Sequence, residues 1–355
     1  MNVQAAEVVL PCAELSSTLA FFTERLGFRL EAIFPADDPA IAVVRGHGLH
    51  LRLERGRAGT AGVLRLECND PAALGGVASV LVAPNGTRIE LVRAEAPLAT
   101  PPLRPVFVLT RLGPGSKWVE GRAGMRYRDL VPGRLGGAVA ASHIRIQEGG
   151  PVNDHVHWHE VQFQLIYCRA GWVRVVYEDQ GEPFVMEPGD CVLQPPRIRH
   201  RVLASSPGCE VIEVSSPAAH ETRIDHELAL PTPVLRRERD FSGQHFVRHE
   251  RATATWRPWR SEGFEARDLG VAAATRGLAS ACVARPVQGR GGKLRSKRPE
   301  CSFTFVLQGT ARLAREGAAA EPLSSGDAFV LPPSETHELG DCSRDLELLE
   351  VFLPS

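Results

Sequence analysis

The strongest constraint on what this chain can fold into is that roughly residues 120–355 repeat themselves. "RDL" occurs at 128–130 and again at 267–269. Gly171 closes "QLIYCRAG" 43 residues after Arg128, and Gly309 closes "TFVLQG" 42 residues after Arg267. "EPGDCVLQPPRIRH" then matches "SSGDAFVLPPSETH", the copies ending in His200 and His337, and "EVIEVSSP" and "ELLEVFLP" each begin ten residues later. Self-similarity of this kind means one structural plan used twice. Each copy is built of short β-branched and aromatic runs broken by Gly, Pro and Asp turns, with little helical periodicity. That pattern predicts an antiparallel barrel or double-sheet jelly roll in each copy. "ALPTPVLRRERD" reads as the linker between them.

The first 95 residues follow a different plan. "EVVLPC" reads as a strand, and "ELSSTLAFFTERLGF" as an amphipathic helix with Leu15, Leu19, Phe22 and Leu26 on one face. "FRLEAIF", "AIAVVRG" and "LHLRLER" add three strands, giving a βαβββ order. "GVLRLEC", a helix opening at "NDPAALGGVAS", and "PNGTRIELVRA" follow. On "LAFFTERLGFRL" and "PNGTRIEL" this stretch resembles a glyoxalase-like domain of the vicinal oxygen chelate superfamily. Too few residues lie between Ser79 and Pro84 for a complete second module, so two of its strands are expected to be missing. The metal-ligand positions of that superfamily fall near Glu7, Val63 and Glu90. With an aliphatic residue at one of them, the resemblance implies a structural or dimerising role. "AEAPLATPPLRP" (94–105) is proline-rich and reads as a linker.

Composition excludes several partner classes. Hydrophobic residues make up 43% and charged residues 23%, with net charge −1 and pI near 6.9. Nothing in that balance suggests a nucleic-acid or anionic-membrane partner. No run approaches 18 apolar residues, and the N-terminus has no basic n-region followed by an apolar h-region. A cytoplasmic protein is expected. The eight cysteines show no CxxC spacing and sit mostly in apolar runs, as buried, reduced thiols do.

"PGDCVLQPP", with a histidine four residues on, resembles the second motif of the cupin superfamily, and "HWHEVQFQLIYCRAG" resembles its first. The expected fold class is therefore mainly β: two tandem cupin (jelly-roll) barrels preceded by an α+β βαβββ glyoxalase-like domain. The expected boundaries are 1–95 for that domain, 96–118 for a linker, 119–230 for the first cupin with its metal site, and 231–355 for a second cupin with a degenerate site. Cupins hold a metal with His-x-His, a Glu, a Gly and a later His. Counting back from Gly171 puts Gln164 in the Glu position, with His159 and His157 before it. The resemblance thus implies His157, His159 and His200 as ligands, with Gln164 in the carboxylate slot. A frame starting at His155 would put Gln162 there and fits the glycine less well.

The spacing also has a physical reading, because alternate residues on a strand share a face and His157 and His159 enter the barrel together. Three imidazoles with an optional amide oxygen leave positions open, as a catalytic first-row metal requires. An amide cancels no charge, so the site should favour an anionic chelating substrate. "ASHIRIQEGG" alternates His143, Arg145 and Gln147. If that face is the lumen, Arg145 is placed to clamp a carboxylate and His143 to act as acid or base, with His155 as an outer helper. Tyr167, Arg174 and Gln194 are weaker candidates. In the second copy Ser302 takes the Glu position, and Arg295 and Lys297 take those of the His pair. Only His337 survives there, so that barrel is expected to be structural.

The function expected from the resemblance is a metal-dependent dioxygenase acting on a catecholate, an enolate or a keto or hydroxy acid. Fe(II) is the favoured ion, with Mn, Ni, Zn and Co as others. An isomerase or lyase, and a non-catalytic binding protein, are the alternatives. A homodimer is expected, since an incomplete vicinal oxygen chelate unit needs a partner module.

Overall fold

The computed structural model describes residues 3–75, 79–94, 98–260, 262–287 and 300–353, with 294–296 as backbone alone. The chain divides into two units, Met1–Pro97 and Leu98–Ser355. The expected boundary after residue 95 falls among residues 95–97, outside the described ones.

The first unit begins with the strand Val8–Cys12, a helix Leu15–Ala20 that widens into a π turn over Phe21–Arg25, and strands Arg29–Phe34, Ile41–Gly46 and Leu49–Arg55. The sheet runs first, fourth, third, second, and its first and fourth strands are parallel. Leu15, Phe22 and Leu26 are buried as their spacing predicts, but Thr18 is fully buried where Leu19 is only half-buried. Thr18 can be there because its hydroxyl donates to Glu14 O at 2.7 Å, which satisfies the buried polar group. Strands Val63–Cys68, Val80–Val82 and Arg88–Arg93 form a second sheet with Arg88–Arg93 in the middle, parallel to Val63–Cys68. This is the first sheet's plan with its outermost strand left out. Among the described residues the second half lacks one strand rather than two, because Val80–Val82 forms a three-residue strand in the short span after Ser79. Glu90 is an ordinary strand residue paired with Arg88 at 3.3 Å, and Val63 is 59% exposed.

The second unit is two jelly rolls packed face to face. The first has a seven-stranded sheet that includes Ala140–Ile146, Phe163–Ala170, Cys191–Gln194 and Cys209–Ser216. A six-stranded sheet with His157–His159 and His200–Ser205 lies against it. The second barrel repeats the plan, with Ser280–Pro286, Cys301–Gln308, Ala328–Leu331 and Glu347–Leu353 in its large sheet. Apolar residues on the outer faces of the two large sheets, among them Leu165, Leu193, Phe303 and Val351, form one core between the barrels.

The linkers take part in this packing. Val108–Thr110, inside the expected 96–118 linker, pairs with Ala328–Val330 and completes the second barrel's large sheet. Val247–His249, inside the expected second cupin, pairs with Cys191–Leu193 and completes the first. Each barrel thus lends an edge strand to the other, covering N–H and C=O groups that a bare edge would expose. The repeated "RDL" arginines do the same work in the core. Arg128 donates to Gly326 O at 2.5 Å, and Arg267 donates to Gly189 O at 2.9 Å. Each guanidinium reaches the "GD" turn of the other barrel, and burial lowers the Arg128 pKa to about 10. Among the described residues no helix is long and apolar enough to cross a membrane.

Candidate metal centre

His157, Trp158 and His159 form a short strand whose alternation sends the two imidazoles inward and Trp158 outward. Trp158 is surrounded by Arg197, Arg199 and Arg223, whose guanidinium carbons lie 5.4–5.6 Å from its ring. His157 pairs directly with His200 on the adjacent antiparallel strand. The three rings lie 4.2, 5.1 and 5.3 Å apart, and one ligand atom from each falls within 4.8 Å of the others.

Each imidazole is oriented from behind. His157 Nδ1 donates to His155 O at 2.7 Å, and His200 Nδ1 donates to Ile198 O at 3.0 Å. His159 Nδ1 meets the Thr222 hydroxyl at 2.9 Å. With every Nδ1 engaged, every Nε2 is left for an ion, the arrangement metal-ligating histidines use. His157 Nε2 is buried and has no hydrogen-bond partner. Burial, followed by the charges of neighbouring groups, lowers all three pKa values, that of His159 to about 2 and that of His200 far below the ordinary imidazole value. The triad is therefore neutral, the state in which imidazole binds metal.

That depression sets a pH dependence. The unfolded chain takes up protons below about pH 6.5, while the folded apo-protein's triad does not, so acidification favours unfolding. Chelator-treated protein should be less stable at pH 5.5 than at pH 8, with His159 contributing roughly 1 kcal/mol of the difference. Denaturant midpoints at the two pH values measure this, and equal midpoints would contradict it.

A cavity of about 70 Å³ opens beside the triad. Gln164 is 1% exposed and lines it, and its Oε1 is buried without a partner. Opposite it in register is Gln194, whose Nε2 donates to the Tyr177 hydroxyl at 2.7 Å. Ile144, Ile166, Val175 and Met186 contribute an apolar part of the wall. Three imidazole nitrogens and an orphaned amide oxygen fit a first-row divalent ion with open positions.

The candidates outside the triad fall elsewhere. On Ala140–Ile146 it is Ile144 and Ile146 that face the cavity. His143 and Arg145 therefore point away from it, into the layer between the barrels. His143 is fully buried, bonded to Glu210 at 2.9 Å and to Arg128 at 3.2 Å, with its ring 5.5 Å from Phe305. Arg145 binds Glu210 at 2.8 Å and lies 4.4 Å from the Trp118 ring. Burial alone would raise the Glu210 pKa, but the His143 bond and the Arg169 and Arg145 charges bring it down to about 2. These are structural ion pairs; the polar face of the strand serves the interface, and its apolar face lines the cavity. His155 is exposed, and it acts on the triad through its carbonyl, while its ring lies 6.0 Å from that of His226. Tyr167 accepts from Arg267 between the barrels, and Arg174 is exposed; of the weaker candidates only Gln194 lines the cavity.

Four residues that sequence reasoning passed over belong here. Asp154 is 4% exposed, accepts from the His155 and Val202 amides at 2.9 and 3.0 Å, and ion-pairs with Arg122. Arg122 is the one arginine on the cavity wall among the described residues, 3.4 Å from His157 Nδ1. Glu213 also opens onto the cavity, and burial raises its pKa. His220 has its ring 5.5 Å from that of His159 and its Nδ1 bonded to Pro217 O. Asp154 stands within the histidine run itself, a usable signal, whereas Arg122 comes from a loop bent by the left-handed Ala123 (φ 54°) and carries none.

The second barrel has no such triad among the described residues. Lys297 and the side chain of Arg295 lie outside those residues. Ser302 and His337 are buried, and Arg260 pairs with Glu350 at 2.9 Å, stacked 3.8 Å from the Trp259 ring. Burial lowers the His337 pKa and the Arg260 charge lowers it further.

Residues 142–214 match the cupin domain family. No curated protein matches the chain. Among solved structures, the oxalate decarboxylase of Lactobacillus farciminis in complex with formate is similar at 17% identity. It is matched over 68% of this chain and 84% of its own, with a TM-score of 0.50. A variant of the Bacillus subtilis oxalate decarboxylase is similar at 16% identity over 68% and 75%, with a TM-score of 0.49. Protein Ylba from E. coli is similar at 10% identity over 72% and 94%, with a TM-score of 0.49. Likeness at these identities speaks to fold alone. The repeated unit has the cupin jelly-roll fold, and the match to the cupin domain family lies within the first barrel, which holds the three converging histidines.

Proposed function

We propose that the chain is a metal-dependent enzyme whose first barrel acts on a small anionic chelating substrate, such as a catecholate, an enolate or a keto or hydroxy acid. The observation that carries this reading is the convergence of three neutral imidazoles beside one small cavity, two of them and the buried Gln164 lining it. His157, His159 and His200 would hold the ion with Gln164 beside them, and the ion would supply Lewis acidity and a template for the substrate. Arg122, fixed by the buried Asp154, is the group placed to take the substrate's negative charge, the role first expected of Arg145. The apolar wall limits water around the reacting atoms.

Within this class we favour an Fe(II)-dependent dioxygenase; Mn, Ni, Zn and Co suit the same donors. A lyase is the second reading, drawn from the similarity to an oxalate decarboxylase solved with formate. Oxygen uptake and CO₂ release, measured together on metal-loaded protein with catechols, β-dicarbonyls and oxalate, separate the two. Turnover of none of these, with the metal bound tightly, would favour a binding protein. The N-terminal unit, with its βαβββ half, we assign to the vicinal oxygen chelate type and to a dimerising role. A homodimer in a reducing, cytoplasmic setting suits that role and the eight free cysteines; light scattering that gives a monomer would count against it.

Arg122→Gln is expected to weaken the binding of oxalate, used as a probe anion on Mn(II)-loaded protein, by about 10-fold or more. The metal content should not change. Calorimetry showing wild-type affinity for the probe would remove Arg122 from this role.

A further inference from the structure

The position where the cupin motif carries its carboxylate holds an amide here, yet an acid lies next to it. Gln164 and Glu213 stand on adjacent antiparallel strands whose register sets Gln164 opposite Ser215 and Ile166 opposite Glu213. They are diagonal neighbours on one face, within side-chain reach, and both line the cavity beside the triad. Only the nitrogen of an amide can donate to a carboxylate. A Gln164 amide turned with Nε2 toward Glu213 keeps its Oε1, which is buried and without a partner, for a third group, and Gln164, Glu213, His159 and His200 line one cavity.

The second barrel shows the same acid used otherwise. "EVIEV" and "ELLEV" align Glu213 with Glu350, which is paired with Arg260 at 2.9 Å. The residue aligned with Gln164 there is Ser302, whose short side chain carries no amide. The barrel with the histidine triad has the acid and the amide together; the barrel without it has neither the amide nor a free acid.

We propose that Glu213 is a positioning residue of the metal centre, holding the Gln164 amide by its nitrogen so that the amide oxygen is presented as the fourth protein ligand beside His157, His159 and His200. An amide not held in this way presents either end, and its nitrogen cannot bind an ion. The proposal rests on the metal-centre reading above and explains how a glutamine serves in a carboxylate's place.

The test is titration of Mn(II) into chelator-stripped full-length protein, followed by calorimetry and by the electron paramagnetic resonance of the bound ion. Glu213→Gln keeps the side chain's shape but faces one amide with another, so the orientation is lost. It is expected to weaken Mn(II) binding by about 10-fold or more and to change the resonance spectrum. In a Gln164→Leu background the same change should have no further effect, because the amide it positions is gone. Wild-type affinity and spectrum in Glu213→Gln would overturn the proposal, as would an effect of equal size in the Gln164→Leu background. Failure of the metal reading looks different: the wild type binds no Mn(II), or His157→Ala binds it as the wild type does.

Discussion

His200→Ala is expected to abolish tight metal binding, lowering Mn(II) affinity by more than about 100-fold while leaving the second barrel folded. Loss of groups that merely orient a ligand already costs 10- to 100-fold, and His200 is one of the three donors themselves. His200 pairs in register with His157, and its ring lies within 5.3 Å of both partner rings. Removing it leaves two imidazoles on a three-residue strand, a set that holds first-row ions weakly. The apo-protein should tolerate the change, and below about pH 6.5 it should gain relative stability, because one buried neutral imidazole has been removed. Calorimetric titration and a denaturation curve at pH 5.5 check both parts. Undiminished affinity would place the ion elsewhere.

Arg267→Ala is expected to cause the largest loss of stability, about 4 kcal/mol. Arg267 is 1% exposed and donates to Gly189 O and to the Tyr167 hydroxyl, both at 2.9 Å. It also lies 3.1 Å from His249, on the strand lent to the first barrel. Truncation leaves a buried carbonyl and a buried hydroxyl unpaired and opens a cavity in the layer between the barrels. Arg267→Met restores much of the volume and should lose about half as much. Chemical denaturation of the two variants measures the difference. If alanine and methionine behave alike and cost little, the repeated arginine is not what joins the barrels.

Much of this architecture was legible in the sequence because the repeat and the strand alternation report directly on local structure. "HWH" on a strand, a glycine twelve residues after the second histidine, and a later histidine were enough to bring three residues from two strands together. The rest depended on facts that alternation does not contain. "ASHIRI" puts His143 and Arg145 on one face and two isoleucines on the other, but it does not say which face is the lumen. The apolar face won because the cavity wall is largely apolar, while the layer between the barrels holds the charged network around Glu210. Glu210 and Glu213 look alike in "EVIEV"; only the register sends one to the interface and the other to the cavity. The exchanged edge strands were invisible for a different reason. Val108–Thr110 pairs with Ala328–Val330, more than two hundred residues away, and a proline-rich flank made it read as linker.

One ion per chain, held by the first barrel alone, is the central claim. Its most direct test is the metal-to-protein ratio, by elemental analysis, of full-length protein reconstituted with Mn(II) and desalted. The expected ratio is one for the wild type, one for His337→Ala, and none for the triple variant His157→Ala, His159→Ala, His200→Ala. A ratio of two for the wild type, or an ion retained by the triple variant, would contradict it.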